Sequence, residues 1–191
     1  MHANFHRRVS AGTILPRPNR FDGIRAASDA KMFPNYHQEI SFAALSLDGQ
    51  GSRYYGSVFL ELKEVAVDER ATVFEGNSLL YLDPLPQETP VPFGLRAVWS
   101  RRDELAAAKL EPRIHSGCCV GDYGEILLSQ DESDAADFVE VHIYGPVHRD
   151  AVNRVTVVAR STATSPPHWE NFRAMIKDLC TGNGIPFKEV S

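Results

Sequence analysis

Short segments that alternate apolar and polar residues fill the middle of this 191-residue chain, and they constrain its fold more than any other feature. A period of two sends successive side chains to opposite faces of a strand, so each segment reads as β. The sharpest runs over residues 138–144. Val139, Val141 and Ile143 share one face; Phe138, Glu140, His142 and Tyr144 share the other. Residues 55–63 alternate in the same way, with Tyr55, Ser57, Phe59 and Glu61 on one side. Residues 71–74, 79–82, 125–128 and 154–159 add shorter strands, and Gly76 and Asn77 supply turn chemistry between two of them. Helical patterns sit at the edges of this region. One covers 24–32 and stops before Pro34. A second starts at Ser100, a potential cap with Asp103 three positions on, and stops at Pro112. A third covers 168–180, where Trp169, Phe172, Met175, Ile176 and Leu179 recur at helical spacing and Gly182 is a plausible stop. The order is not a βαβ alternation, which argues against a doubly wound parallel sheet. The predicted class is α+β: two small, mostly antiparallel sheets with flanking helices, in a single domain over 1–191. Pro84, Pro86, Pro90 and Pro92 make 83–94 a long rigid loop inside that domain.

Composition narrows the function classes. Lys and Arg total 20 and Asp and Glu 25, a net charge of -5, which argues against a protein that wraps duplex nucleic acid. The charge is divided along the chain. Residues 1–31 carry Arg7, Arg8, Arg17, Arg20, Arg25 and Lys31 against Asp22 and Asp29. Residues 125–140 hold six carboxylates and no basic residue. Two such segments can wall a cleft for an anionic ligand, or simply be surface charge. No apolar run approaches the ~20 residues of a membrane span, and the N-terminus lacks a secretory core. With three cysteines, two of them adjacent, no disulfide framework is expected. An intracellular, cytoplasmic setting is the expectation. His115, Cys118 and Cys119 do not make up a four-ligand zinc set, so no metal is expected.

The polar face of 138–144 holds the chemistry. If Val139, Val141 and Ile143 face the core, Glu140 and His142 face a cleft or solvent. A carboxylate beside an imidazole, walled by Phe138 and Tyr144, suits acid–base work or stabilisation of developing positive charge. It also suits the solvent face of an edge strand.

Residues 53–160 carry a set of short motifs. Tyr55-Gly56 opens a strand; Arg70-Ala-Thr72 opens the next, which ends in Gly76-Asn77-Ser78; a helix ends in Lys109-Leu110; and Phe138-Val139-Glu140 runs on to Gly145 before a Val-rich strand. This order resembles bacterial ADP-ribosyltransferase-like toxin domains. The resemblance implies a split β-sandwich gripping NAD between its sheets. It implies that Glu140 is the catalytic carboxylate, supporting an oxocarbenium-like transition state as nicotinamide leaves. Ser78 and Thr72 match the hydroxyl motif of the ribose-supporting strand, and Asn77 stands where relatives often have Asp. Tyr55 and Gly56 match the strand before it. His142 and an N-terminal cation, with Arg7 the named choice among His6, Arg7, Arg8, Arg17 and Arg20, complete the expected NAD contacts. ADP-ribose would pass to a protein or nucleic acid, in a toxin or effector with a possible cognate immunity protein. Phe138 replaces the Glu or Gln that arginine-modifying members carry two residues before the catalytic Glu. An NAD glycohydrolase on the same fold and a non-catalytic binding or immunity module are the alternatives.

Overall fold

A computed structural model describes residues 11–12, 20–86, 89–129, 136–158 and 168–190, with the side chains of 20–24 and 26 outside the described set. Among the described residues, seven strands form two sheets. Helix α1 (Arg20–Met32) precedes β1 (Ile40–Ala44) and β2 (Val58–Leu62). Then come β3 (Ala71–Phe74), α2 (Ser78–Leu82), β4 (Arg96–Val98), α3 (Arg102–Leu110) and α4 (Tyr123–Leu127). Strands β5 (Glu140–Tyr144) and β6 (Val152–Val158), helix α5 (Trp169–Gly182) and β7 (Phe187–Val190) complete the order. The class is therefore α+β, with two mostly antiparallel sheets.

The first sheet has the order β1-β5-β3-β4 and is antiparallel throughout. Its register aligns two rows across one face. Phe42, His142 and Thr72 form one row; Ala44, Glu140 and Phe74 form the next. Directly opposed residues share a face, so the polar side of β5 faces the same way as Phe42 and Phe74. The opposite face carries Ala71, Val73, Val139, Val141 and Ile143, packed under Leu105 of α3 and Leu127 of α4. The polar-side face is covered as well. Met32, Phe33, Ile40, Phe74 and Leu82 make a second apolar cluster there, joined by Phe42. The sheet is thus closed on both sides, which is why Glu140 and His142 face neither an open cleft nor solvent.

The second sheet has the order β2-β6-β7, with β6 and β7 parallel. Helix α5 packs on it through Trp169, Ile176 and Cys180 against Val155 and Val157.

Local chemistry explains where elements differ from the alternation pattern. Residues 79–82 are helical rather than extended, because Asn77 holds an extended N-cap conformation and its Oδ1 accepts from Leu79 N–H at 3.2 Å. Residues 125–128 are also not a strand. Leu127 turns on α4 into the core, and only Leu128 makes a bridge, to Phe138. Ser100 does not cap the helix; it lies in a 3₁₀ turn over Trp99–Arg101 that leads into α3. Gly182 remains inside α5, and the chain leaves the helix through Asn183 and Gly184, the latter at φ +65°. Strands β1, β4 and β7 lie where no alternation was read.

Candidate functional site

Glu140 is the centre of a buried charge cluster. Its residue is 1% exposed, at the start of β5. Oε1 accepts from Arg25 Nη2 at 2.8 Å. Oε2 accepts from the backbone N–H of Ser78 at 2.9 Å. Both oxygens thus have a donor, which a buried carboxylate requires.

Arg25 reaches down from α1. Its Nε lies 3.2 Å from Asp29 Oδ1, one helical turn on, and its guanidinium sits 3.9 Å over the ring of Phe42. Two carboxylates around one guanidinium leave the cluster formally negative.

Burial, the largest influence on the Glu140 carboxyl, pushes its pKa up. The positive charge of Arg25 overcomes this, with help from His142 and the Ser78 N–H, and the pKa is lowered to about 2. Glu140 is therefore an anion at neutral pH.

His142 is two residues along the same face and also 1% exposed. Its Nε2 is 3.4 Å from Glu140 Oε2, outside hydrogen-bond geometry, and neither ring nitrogen has a hydrogen-bond partner. Phe33 and Phe42 meet the imidazole edge-on at 5.0 and 5.3 Å. Ser78 presents a second unsatisfied group, since its Oγ is buried without a partner. Unpaired polar groups in an apolar surround carry a desolvation cost of about 1–3 kcal/mol each.

The Ser78 donor is held by a clamp. Lys109, buried in α3, donates from Nζ to Glu75 O and Asp137 Oδ2, both at 2.8 Å. Arg113 joins Asp137 at 3.0 Å. Burial raises the Asp137 carboxyl, but these two cations outweigh it and hold its pKa below the usual range. Asn77 Nδ2 donates to Ala136 O at 3.3 Å. The turn between β3 and α2 is thereby fixed to the segment that enters β5.

Tyr55 closes the outer edge. Its ring meets Phe138 edge-on at 5.7 Å. Burial raises its hydroxyl pKa above the usual tyrosine value, with Arg25 opposing and Glu140 adding to the shift. The residue itself is 60% exposed, which fits an open ring with its hydroxyl turned towards the cluster. Gly56 follows at φ +141°, a conformation that favours glycine.

Of the residues singled out in the sequence, Glu140, Ser78, Asn77, His142 and Tyr55 come together, with Gly56 adjoining. Thr72 does not reach Glu140. It stands opposite His142, one row further along the sheet. There it lines an open concavity of about 860 Å³ with Tyr36, Val98, Trp99 and Tyr144. Glu140 is not among the residues that line it. Arg7 lies outside the described residues, as do His6, Arg8 and Arg17, and the side chain of Arg20 is not described.

The cation at Glu140 is Arg25, which the sequence reading counted as charge but did not place at the site. The Arg25–Asp29 spacing of four on a predicted helix was the available signal. Among the described residues no cluster of three or more His, Cys, Asp or Glu is placed to hold a metal ion. No helix there is long and apolar enough to cross a membrane.

The arrangement defines a class: an α+β protein whose central strand carries a buried carboxylate–guanidinium site. No protein-family model matches the chain, and no curated protein sequence matches it.

Proposed function

We propose that the chain is an NAD-dependent ADP-ribosyltransferase of the toxin or effector kind, with a split-sandwich fold and Glu140 as its catalytic carboxylate. One observation carries the reading: Glu140 and Ser78, separate motifs in the sequence, meet at 2.9 Å beside a guanidinium from the N-terminal segment.

The donor set suits a ribose. Ser78 Oγ and the two His142 nitrogens are buried polar atoms without partners, and ribose hydroxyls can both donate and accept. Asn77 and the Tyr55 hydroxyl border the same cluster.

In the reaction, the C1′–N bond of NAD breaks and its electron pair stays with nicotinamide. Positive charge builds at C1′ and the ribose oxygen. An ionised Glu140 favours that charge and needs little reorganisation to do so. A nucleophile on the acceptor then gives its electron pair to C1′ and loses its proton. With water as nucleophile the same chemistry is NAD hydrolysis.

Incubation with NAD labelled in the adenine moiety tests the reading. Nicotinamide release is expected, with label retained on a protein or nucleic acid. Release with label only in free ADP-ribose identifies a glycohydrolase. No release removes both enzyme readings.

The burial of Glu140 favours a second reading, in which the Arg25–Glu140 pair is a structural tie in a non-catalytic binding or immunity module. That reading predicts no NAD turnover.

A further inference from the structure

The face of the first sheet that carries Glu140 and His142 is covered at one end and open at the other. Met32, Phe33 and Leu82 pack with Phe42 and Phe74 at the covered end. Beyond His142 the same face continues through Tyr144 on β5, Thr72 on β3 and, opposite Thr72, Val98 on β4. Val98 and Tyr144 are 54% and 53% exposed there, and Tyr36 is 44% exposed. The rings of Tyr36 and Tyr144 meet at 5.7 Å and nearly at right angles. These residues line the concavity of about 860 Å³, a volume within the roughly 300–1,000 Å³ of ligand pockets.

Its charge is specific. Asp68 and Glu69 line it and are exposed. Among the described residues neither carboxylate pairs with a cation; Asp68 Oδ1 accepts from the Glu69 N–H at 2.8 Å. The nearby cations are committed elsewhere. Arg70 donates to three backbone carbonyls, from Nε to Ala66 O at 3.0 Å and from Nη1 to Tyr144 O at 2.6 Å and Pro146 O at 3.1 Å. Arg96 lies over the Phe33 ring at 5.0 Å and donates to Met32 O at 3.2 Å.

Two other places in the chain combine aromatic rings with carboxylates, and both hold an arginine. Arg25 sits over Phe42 and pairs with Glu140 and Asp29. Arg102 sits 4.6 Å from the ring of Trp99, and its Nη2 is 2.8 Å from Glu64 Oε1. The concavity offers Tyr36, Tyr144, Asp68 and Glu69, with its own arginines turned to backbone carbonyls.

We propose that this open end of the sheet is a docking site for an arginine side chain on the surface of a partner protein. A guanidinium is planar, stacks on aromatic faces and forks onto a carboxylate, where an ammonium offers only a point charge. Its aliphatic stem can cover Val98 while the head meets Asp68 or Glu69. The proposal is independent of the NAD reading, because Glu140 does not line the concavity.

The test is calorimetric titration of the full chain at low salt with an acetylated, amidated Gly-Gly-Arg-Gly-Gly peptide. Matched peptides carry lysine or citrulline in place of the arginine. Saturable binding of the arginine peptide is expected, with the citrulline peptide at least tenfold weaker and the lysine peptide at least threefold weaker. Asp68→Asn combined with Glu69→Gln is expected to weaken the arginine peptide at least tenfold, and Tyr144→Leu at least threefold. Glu111→Gln, which removes an exposed carboxylate outside the concavity, is expected to leave binding unchanged. If Tyr144→Leu does not fold, the double carboxylate variant, confined to exposed side chains, decides.

No saturable binding would overturn the proposal, as would equal affinity for the lysine or citrulline peptide. So would a loss in Glu111→Gln as large as in the double variant, which would mean a general charge effect. Sedimentation velocity covers the remaining occupant: a dimer abolished by Tyr144→Leu would assign the face to a second copy of the chain and overturn the arginine site.

Discussion

The two faces of β5 contrast sharply although they share one strand and are equally shut off from water. Val139, Val141 and Ile143 pack among aliphatic side chains from α3 and α4. Glu140 and His142 are buried to the same degree, but among Phe33, Phe42, Phe74 and one guanidinium. Burial of the first face contributes stability, at about 25 cal/mol per Å². Burial of the second opposes it unless every charge is matched, and an apolar set of the same shape is often as stable or more so. The charged face therefore depends on matched partners, where the aliphatic face depends only on apolar contact.

Breaking each face in turn sharpens the contrast. Glu140→Ala leaves Arg25 without its deepest partner and the Ser78 N–H without an acceptor. A loss of about 3–5 kcal/mol is expected from denaturant unfolding. Val141→Ala removes two methyl groups from the apolar face and is expected to cost about 2 kcal/mol. Equal costs would show that the charged face is no more tightly coupled than the aliphatic one.

Acid is a gentler probe. The folded pKa of Glu140 is about 2, depressed from the ordinary 4.5. A depressed carboxyl contributes its stability in full above its unfolded pKa and loses it as pH falls through the folded one. The contribution is on the order of 3 kcal/mol. The wild type is thus expected to lose stability between about pH 4.5 and 2, and Glu140→Gln to lose that much less over the same window. Parallel curves for the two proteins would mean that Glu140 is not held as a buried anion.

The faces also differed in how far the sequence revealed them. Strict alternation sufficed to place Val139, Val141 and Ile143 together, and residues 71–74 coincide with β3. Alternation assigns side chains to a face but does not say what covers it. Glu140 and His142 were expected at a cleft or in solvent because polar residues usually mark an open face. Their burial depends on α1, which arrives from far away in the sequence through Arg25, 115 positions before Glu140. Local chemistry misled in smaller ways. Leu79–Leu82 looked extended until Asn77 was seen to cap a helix there. Strand β7 escaped notice because Phe-Lys-Glu-Val is half exposed and its parallel pairing with β6 has no hairpin signal. The charge division along the chain offered a cleft walled by the two segments, or plain surface charge; Arg25 and Glu140 instead pair directly, with no cleft between them.

Turnover separates the faces most directly. Nicotinamide release from NAD is compared for the wild type, Glu140→Gln and Val141→Ala, at a temperature where all three are folded. Gln preserves the size of Glu140 and an acceptor for the Ser78 N–H, but not the charge. If the polar face carries the chemistry, Glu140→Gln loses at least ~10²-fold in release, the scale of one preorganised electrostatic contact. Val141→Ala then stays within about threefold of the wild type. Release by Glu140→Gln at the wild-type rate would contradict the assignment of Glu140 as the catalytic carboxylate.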